Sequence, residues 1–214
     1  MTRLRIIFIC LIVIAILSGC QESPEEKIYQ ILEKTVAKEK EFNKQQKPLK
    51  ELESQEKKIF DKIINLETSN MDKIVELSDS ALDNLAKRKE RMELEQESIL
   101  SSKKEFSKMK NQINKIETEK VKTEAMELYH LMQDRYKAHD QLYKAYNQGI
   151  DTNSQLYKML KRKDLPMEDL ERQITLTNQA YSEVLKMNKL FNDRTKKFNE
   201  NKIEFYQDAH IKID

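Results

Sequence analysis

Apolar residues return along this chain at intervals of three, four and seven, and almost never alternate. From Ile28 the row runs through Ile31, Phe42, Leu49, Leu52, Ile59, Ile63 and Leu66, a heptad pattern that predicts a helix rather than a strand. Thr35, Lys38, Gln45 and Glu56 occupy the same stripe, so its first half makes a weak seam. Pro48 lies inside the row, yet the register is the same on both sides of it. A kinked single helix or two coaxial ones accounts for that better than a reversal. Ser23, Pro24, Glu25 and Glu26 supply a cap, a first-position proline and an acidic first turn.

Thr68, Ser69 and Asn70 form a turn and cap cluster, and a second helix follows. Its strong row is Leu85, Met92, Ile99, Phe106 and Ile113. A partner row, Ile74, Ala81, Arg88, Glu95, Ser102, Met109 and Ile116, turns polar in the middle, which suits a helix touching neighbours along one narrow edge. Near 114–120 the register slips by about one residue. Asn114 to Glu117 reads as a capping box there, so a tight turn is favoured over a stutter in one long rod.

A third long helix passes through Ala125, Leu128, Met132, Leu142, Tyr146, Leu156 and Leu160, with Gly149 inside it. Asp164, Leu165 and Pro166 break the chain, and a last helix carries Leu170, Ile174, Tyr181, Val184, Phe191, Phe198 and Phe205. Short joins make sequence neighbours antiparallel. The expectation is an all-α fold: an elongated antiparallel bundle or coiled coil of about four long helices over residues 24–214. Composition agrees, with 36% charged residues but only 2 Gly and 3 Pro in 214 residues.

The first twenty residues follow another pattern. Arg3 and Arg5 precede about 12 apolar residues, too few to span a hydrocarbon core of about 30 Å comfortably. Leu17, Ser18, Gly19 and Cys20 close the run and resemble the lipobox of bacterial lipoproteins; the competing reading is a plain membrane helix with an incidental cysteine. The resemblance implies a leader over 1–19, cleavage before Cys20, a lipid on its thiol, a tether over 20–23 and a chain held at the extracytoplasmic face of the membrane. Without Arg3 and Arg5, 37 basic residues face 37 acidic ones, so no charge argument favours nucleic acid. The only other cysteine is Cys10, in the leader, which leaves the expected mature body no disulfide.

Candidate chemistry is sparse. His130, His139 and His210 make no HExxH or close histidine pair; His130 with Asp134 is at most a weak metal pair, and no metal or other cofactor is expected. No phosphate-binding glycine loop or GxSxG occurs, and the chain reads as non-enzymatic. Tyr129, Tyr136, Tyr143 and Tyr157 recur at multiples of seven, with Tyr146 one turn beyond Tyr143. Such a stripe is read first as the flank of a core, with Tyr146 the strongest candidate for the core itself, and second as a ladder of rings for sugars or a partner.

Taken in order, the lipobox, the stretch Ser23 to Tyr29, Gln45-Gln46-Lys47-Pro48-Leu49 and Leu142-Tyr143-Lys144-Ala145-Tyr146-Asn147 resemble the YkyA-type cell-wall-binding lipoproteins of Gram-positive bacteria. The resemblance implies a membrane-anchored helical protein whose partner is peptidoglycan or a wall-associated protein. The alternative is a coiled-coil assembly factor that binds another envelope protein. It carries over no catalytic or binding residue.

Overall fold

The computed structural model describes residues 22–211; the leader, Cys20 and Gln21 lie outside them, as do residues 212–214. The described chain is helical, and no strand occurs among these residues. Its elements are α1 (Pro24–Lys38), α2 (Lys40–Ile64), a 3-10 turn (Thr68–Asn70), α3 (Met71–Phe106), a short α4 (Met109–Ile113), α5 (Glu119–Leu160) and α6 (Met167–Asp208). The fold is the expected all-α bundle with four long elements, the first of them α1 and α2 end to end. With 42 residues each, α5 and α6 are about 63 Å long at about 1.5 Å per residue.

α1 begins as its sequence dictates. Ser23 Oγ accepts the Glu26 N–H at 3.1 Å, and the Glu26 carboxylate accepts the Ser23 N–H at 3.0 Å, a reciprocal capping box. The break in the first long element falls at Glu39 and not at Pro48, which α2 carries within its length. No Gly or Pro marks Glu39, and its cause is tertiary, as described below. At 114–120 the chain turns, but Asn114 caps nothing: Thr118 is the N-cap of α5, without a side-chain bond. Pro166 stands at the N-cap of α6, where its missing N–H costs nothing.

α5 packs along α6, α2 along α3, and α3 along α5, while α1 lies against α3 and α4. The pairs Arg88–Tyr146 and Ser102–Tyr136 show α3 and α5 running antiparallel. One apolar cluster joins Ile28, Leu32, Phe106, Ile113, Leu128 and Phe205 at the end where α1 begins. A second joins Leu49, Ile63, Leu85, Tyr146, Tyr157 and Phe191 toward the hairpin turns. Gly149 on α5 faces Val184 and Tyr181 of α6, and a Cβ there would meet Val184 at 3.6 Å, ordinary contact. α1 and α2 meet α6 through side chains, Tyr29 on Tyr206 at 5.4 Å and Phe42 on Phe191 at 5.7 Å, and the bundle is open along much of that side.

Candidate functional site: a groove along the bundle

The open side is a groove of about 950 Å³ with α1 and α2 as one wall, α6 as the other and α3 and α5 as its floor. Its α6 wall presents Asn188, Asn192, Thr195 and Asn199, spaced by three and four residues so that they share one helix face. Asn43 and Gln46 face them from α2. Apolar surface lies between the amides: Phe42, Leu49, Met92, Val184 and Phe191. Val36 and Leu185 stand on opposite walls, 49% and 72% exposed.

The floor is polar because the stripe of α3 is polar where it crosses the groove. Arg88, Glu95 and Ser102, the middle of the row Ile74 to Ile116, are 1%, 2% and 0% exposed. They face the interior and are not the solvent side of a narrow contact edge. Thr35 and Gln45, from the weak seam of the first element, are buried too.

Two arginines organise this floor. Arg135 of α5 grips Glu39 through two nitrogens, each 2.7 Å from a carboxylate oxygen, and donates to Thr195 Oγ1 of α6 at 3.0 Å. Ser102 Oγ donates to the same Glu39 at 2.7 Å and pairs with the Tyr136 hydroxyl at 2.8 Å. The fork of guanidinium and carboxylate is a strong charge-assisted geometry, and it pulls Glu39 inward where the first element breaks. Arg88 donates to Tyr146 Oη at 2.9 Å and Tyr181 Oη at 3.3 Å. Its guanidinium lies 3.6 Å from Glu53 and 3.9 Å from Glu56. Tyr146 in turn donates to Glu53 at 2.7 Å, and Tyr157 donates to Glu56.

Two buried titratable groups stand apart from these pairs. Glu95 accepts from Gln46 Nε2 at 2.5 Å. Burial, then the nearby Glu53 charge, pushes its carboxyl up to about 8. His139 is fully buried, and neither ring nitrogen has a hydrogen-bond partner. Its ring sits edge-on to Phe42 and Phe191 at 5.7 and 5.3 Å. Burial, reinforced by Arg135, lowers it to about 4, so the imidazole is neutral at pH 7.

Of the four candidate tyrosines, Tyr136 and Tyr157 are 0% exposed, and Tyr129 and Tyr143 are half-buried against the two apolar clusters. None of the four lines the groove. Tyr129 stacks on Phe106 at 5.5 Å, and Tyr146 is buried in the seam with Leu142. His130 and Asp134 lie together on a shallow outer face of α5 with Glu127. Among the described residues no three His, Cys, Asp or Glu side chains converge as a metal would need, and no helix is long and apolar enough to cross a membrane.

Sequence reasoning missed Glu39, Arg135, Glu95 and the asparagines of α6. The signal for Arg88, Glu95 and Ser102 was present in their seven-residue spacing on an otherwise apolar row. Nothing local marked Glu39 or Arg135, whose partners lie 96 residues apart in the chain.

A family model described as "Putative cell-wall binding lipoprotein", the YkyA family, matches residues 23–208. A Bacillus subtilis (strain 168) protein named "Uncharacterized lipoprotein YkyA" is 34% identical over 199 residues, 92% of this chain and 89% of that protein. A crystal structure of a conserved Staphylococcus aureus protein of unknown function superposes with a TM-score of 0.76 at 18% identity, over 88% of this chain and 98% of that one. That likeness concerns the fold.

Proposed function

The chain belongs to the YkyA family of lipoproteins, and from that premise we propose that it is a membrane-anchored protein of the extracytoplasmic face that binds the cell wall through the groove. Lipid on Cys20 would hold the start of α1 at the membrane. Helices of about 63 Å would then carry the groove outward into the space before the wall.

One observation carries the reading: a groove of this volume whose walls alternate amides with apolar surface. Asn and Gln side chains offer both donors and acceptors, which suits the hydroxyls and amides of a glycan strand or its peptides. The floor needs no ligand to satisfy Arg135 and Glu39, which satisfy each other.

Sedimentation of the body from Gln21 onward with purified wall sacculi tests this. Every residue of both apolar clusters lies between Ile28 and Ile211, so that body keeps its whole core. Binding is expected, and it should fall when Asn188→Arg and Asn192→Arg crowd the groove while melting stays unchanged. Absence of wild-type binding would reject the reading.

A second reading is an assembly factor that takes an amphipathic helix of another envelope protein into the same groove. Val36 and Leu185, exposed on facing walls, favour it.

A further inference from the structure

The charges of the groove are unevenly paired along its length. At the α1–α2 break, Glu39 and Arg135 form a closed pair, bonded through both carboxylate oxygens, which leaves no charge to offer. Further along the groove the case differs. Glu53, Glu56 and Glu95 all line this stretch; its buried cation is Arg88, and Lys50, exposed on the α2 wall, forms no ion pair with any of the three among the described residues. Arg88 spends its donors on two tyrosine hydroxyls and lies 3.6 and 3.9 Å from Glu53 and Glu56. It forms no ion pair with Glu95.

Glu95 is the exceptional group. It is 2% exposed and takes part in no ion pair among the described residues; its one side-chain bond comes from the neutral Gln46 amide. A buried carboxylate without a cation is costly, and proteins retain such groups where a proton or a bound cation completes them. From the geometry we propose that this stretch of the groove binds a primary ammonium group on a short aliphatic arm, of the kind a diamino acid presents in a peptide, with Glu95 and Glu53 as its acceptors.

The chemistry fits an ammonium better than the alternatives. An ammonium has three donors and no acceptor, and the site presents the Glu53 carboxylate, the Gln46 carbonyl oxygen and Glu95, whose proton leaves to solvent as the ammonium takes its place. Leu49 and Met92, one turn from Gln46 and Glu95, line the same stretch and would cover the arm. A planar guanidinium wants both oxygens of one carboxylate, and one oxygen of Glu53 already accepts from Tyr146 while one of Glu95 accepts from Gln46. The elevated Glu95 carboxyl agrees with a site awaiting positive charge.

This inference rests on the groove being the binding surface of the proposed function, and it names the group recognised there. The probe is a Gly-Lys-Gly tripeptide with acetylated amino and amidated carboxyl termini, so that its only charge is the lysine ammonium. Titrated into the body from Gln21 onward by calorimetry, it should bind on the order of ten-fold more tightly than the same peptide acetylated on the lysine side chain. Glu95→Gln should abolish that discrimination without lowering the melting temperature. Equal binding of the two peptides, or discrimination that survives Glu95→Gln, overturns the proposal.

A second arm separates this proposal from the wall reading. Sacculi with their free amines acetylated should be bound less than untreated sacculi. If both kinds bind equally, the ammonium site falls and the wall reading stands. If neither binds while the tripeptide is still discriminated, the wall reading falls and the ammonium site stands.

Discussion

Ser98 occupies the hydrogen bond that Phe42 would otherwise make inside its own helix. Its Oγ accepts the Phe42 N–H at 3.1 Å and donates to the Lys38 carbonyl at 2.7 Å, the two groups that an uninterrupted helix would join directly. A side chain inserted into the ladder is a recognised cause of a helix break, and here it comes from a different helix, 56 positions away. Ser98→Ala removes both bonds while Arg135 and Ser102 still hold Glu39 inward. We expect a loss of about 1–3 kcal/mol by chemical denaturation. An unchanged or raised midpoint would show that the break heals by itself.

The pair Glu39–Arg135 is the second element of that break. Its side chains are 12% and 5% exposed, which makes it a buried ion pair, and removal of one partner strands the other. Arg135→Met alone should cost about 3–5 kcal/mol. The double variant Glu39→Leu with Arg135→Met should recover much of that loss, because neither charge is then left unpaired. Denaturation of wild type, both single variants and the double variant gives the coupling directly.

These two cases explain what the sequence could and could not disclose. The helices and the turns at 65–70 and 161–166 were legible because each rests on local signals: heptad spacing, Ser23 with Glu26, Pro166. The break at Glu39 was not, since it is imposed by Ser98, Ser102 and Arg135 from other helices. Pro48 drew attention by its identity, yet the register on both sides had already argued that the helix continues through it. The polar run Arg88, Glu95 and Ser102 was visible as a run. Its direction depended on which side of the bundle stays open, a property of the assembled helices and not of any one of them.

Pro48 has no N–H to give the Lys44 carbonyl, and its ring crowds the preceding turn within α2. Pro48→Ala restores the donor and removes the crowding. Melting of the body should rise, by up to about 3 kcal/mol where nothing compensates. A neutral or lowered melting temperature would mean that α2 is bent at Pro48 to serve the packing of its second half.

His139 makes stability depend on pH in a defined window. The fold holds its imidazole neutral down to about 4, against an ordinary value of 6.5. Between those values the unfolded chain binds a proton that the folded chain refuses. The stabilisation is therefore complete above pH 6.5 and is lost as pH falls toward 4, with an upper bound of about 3 kcal/mol. Glu95 slopes the other way over part of the range. Its carboxyl stays protonated in the fold up to about 8 against an ordinary 4.5, so its contribution is present below 4.5 and is lost as pH rises through 8. His139→Leu should flatten the acid limb between pH 6.5 and 4, and Glu95→Gln should flatten the decline between pH 4.5 and 8. Denaturation midpoints across pH 4 to 8 for wild type and both variants check this. Parallel curves for wild type and His139→Leu would show that the ring is protonated, or reached by water, inside the folded bundle.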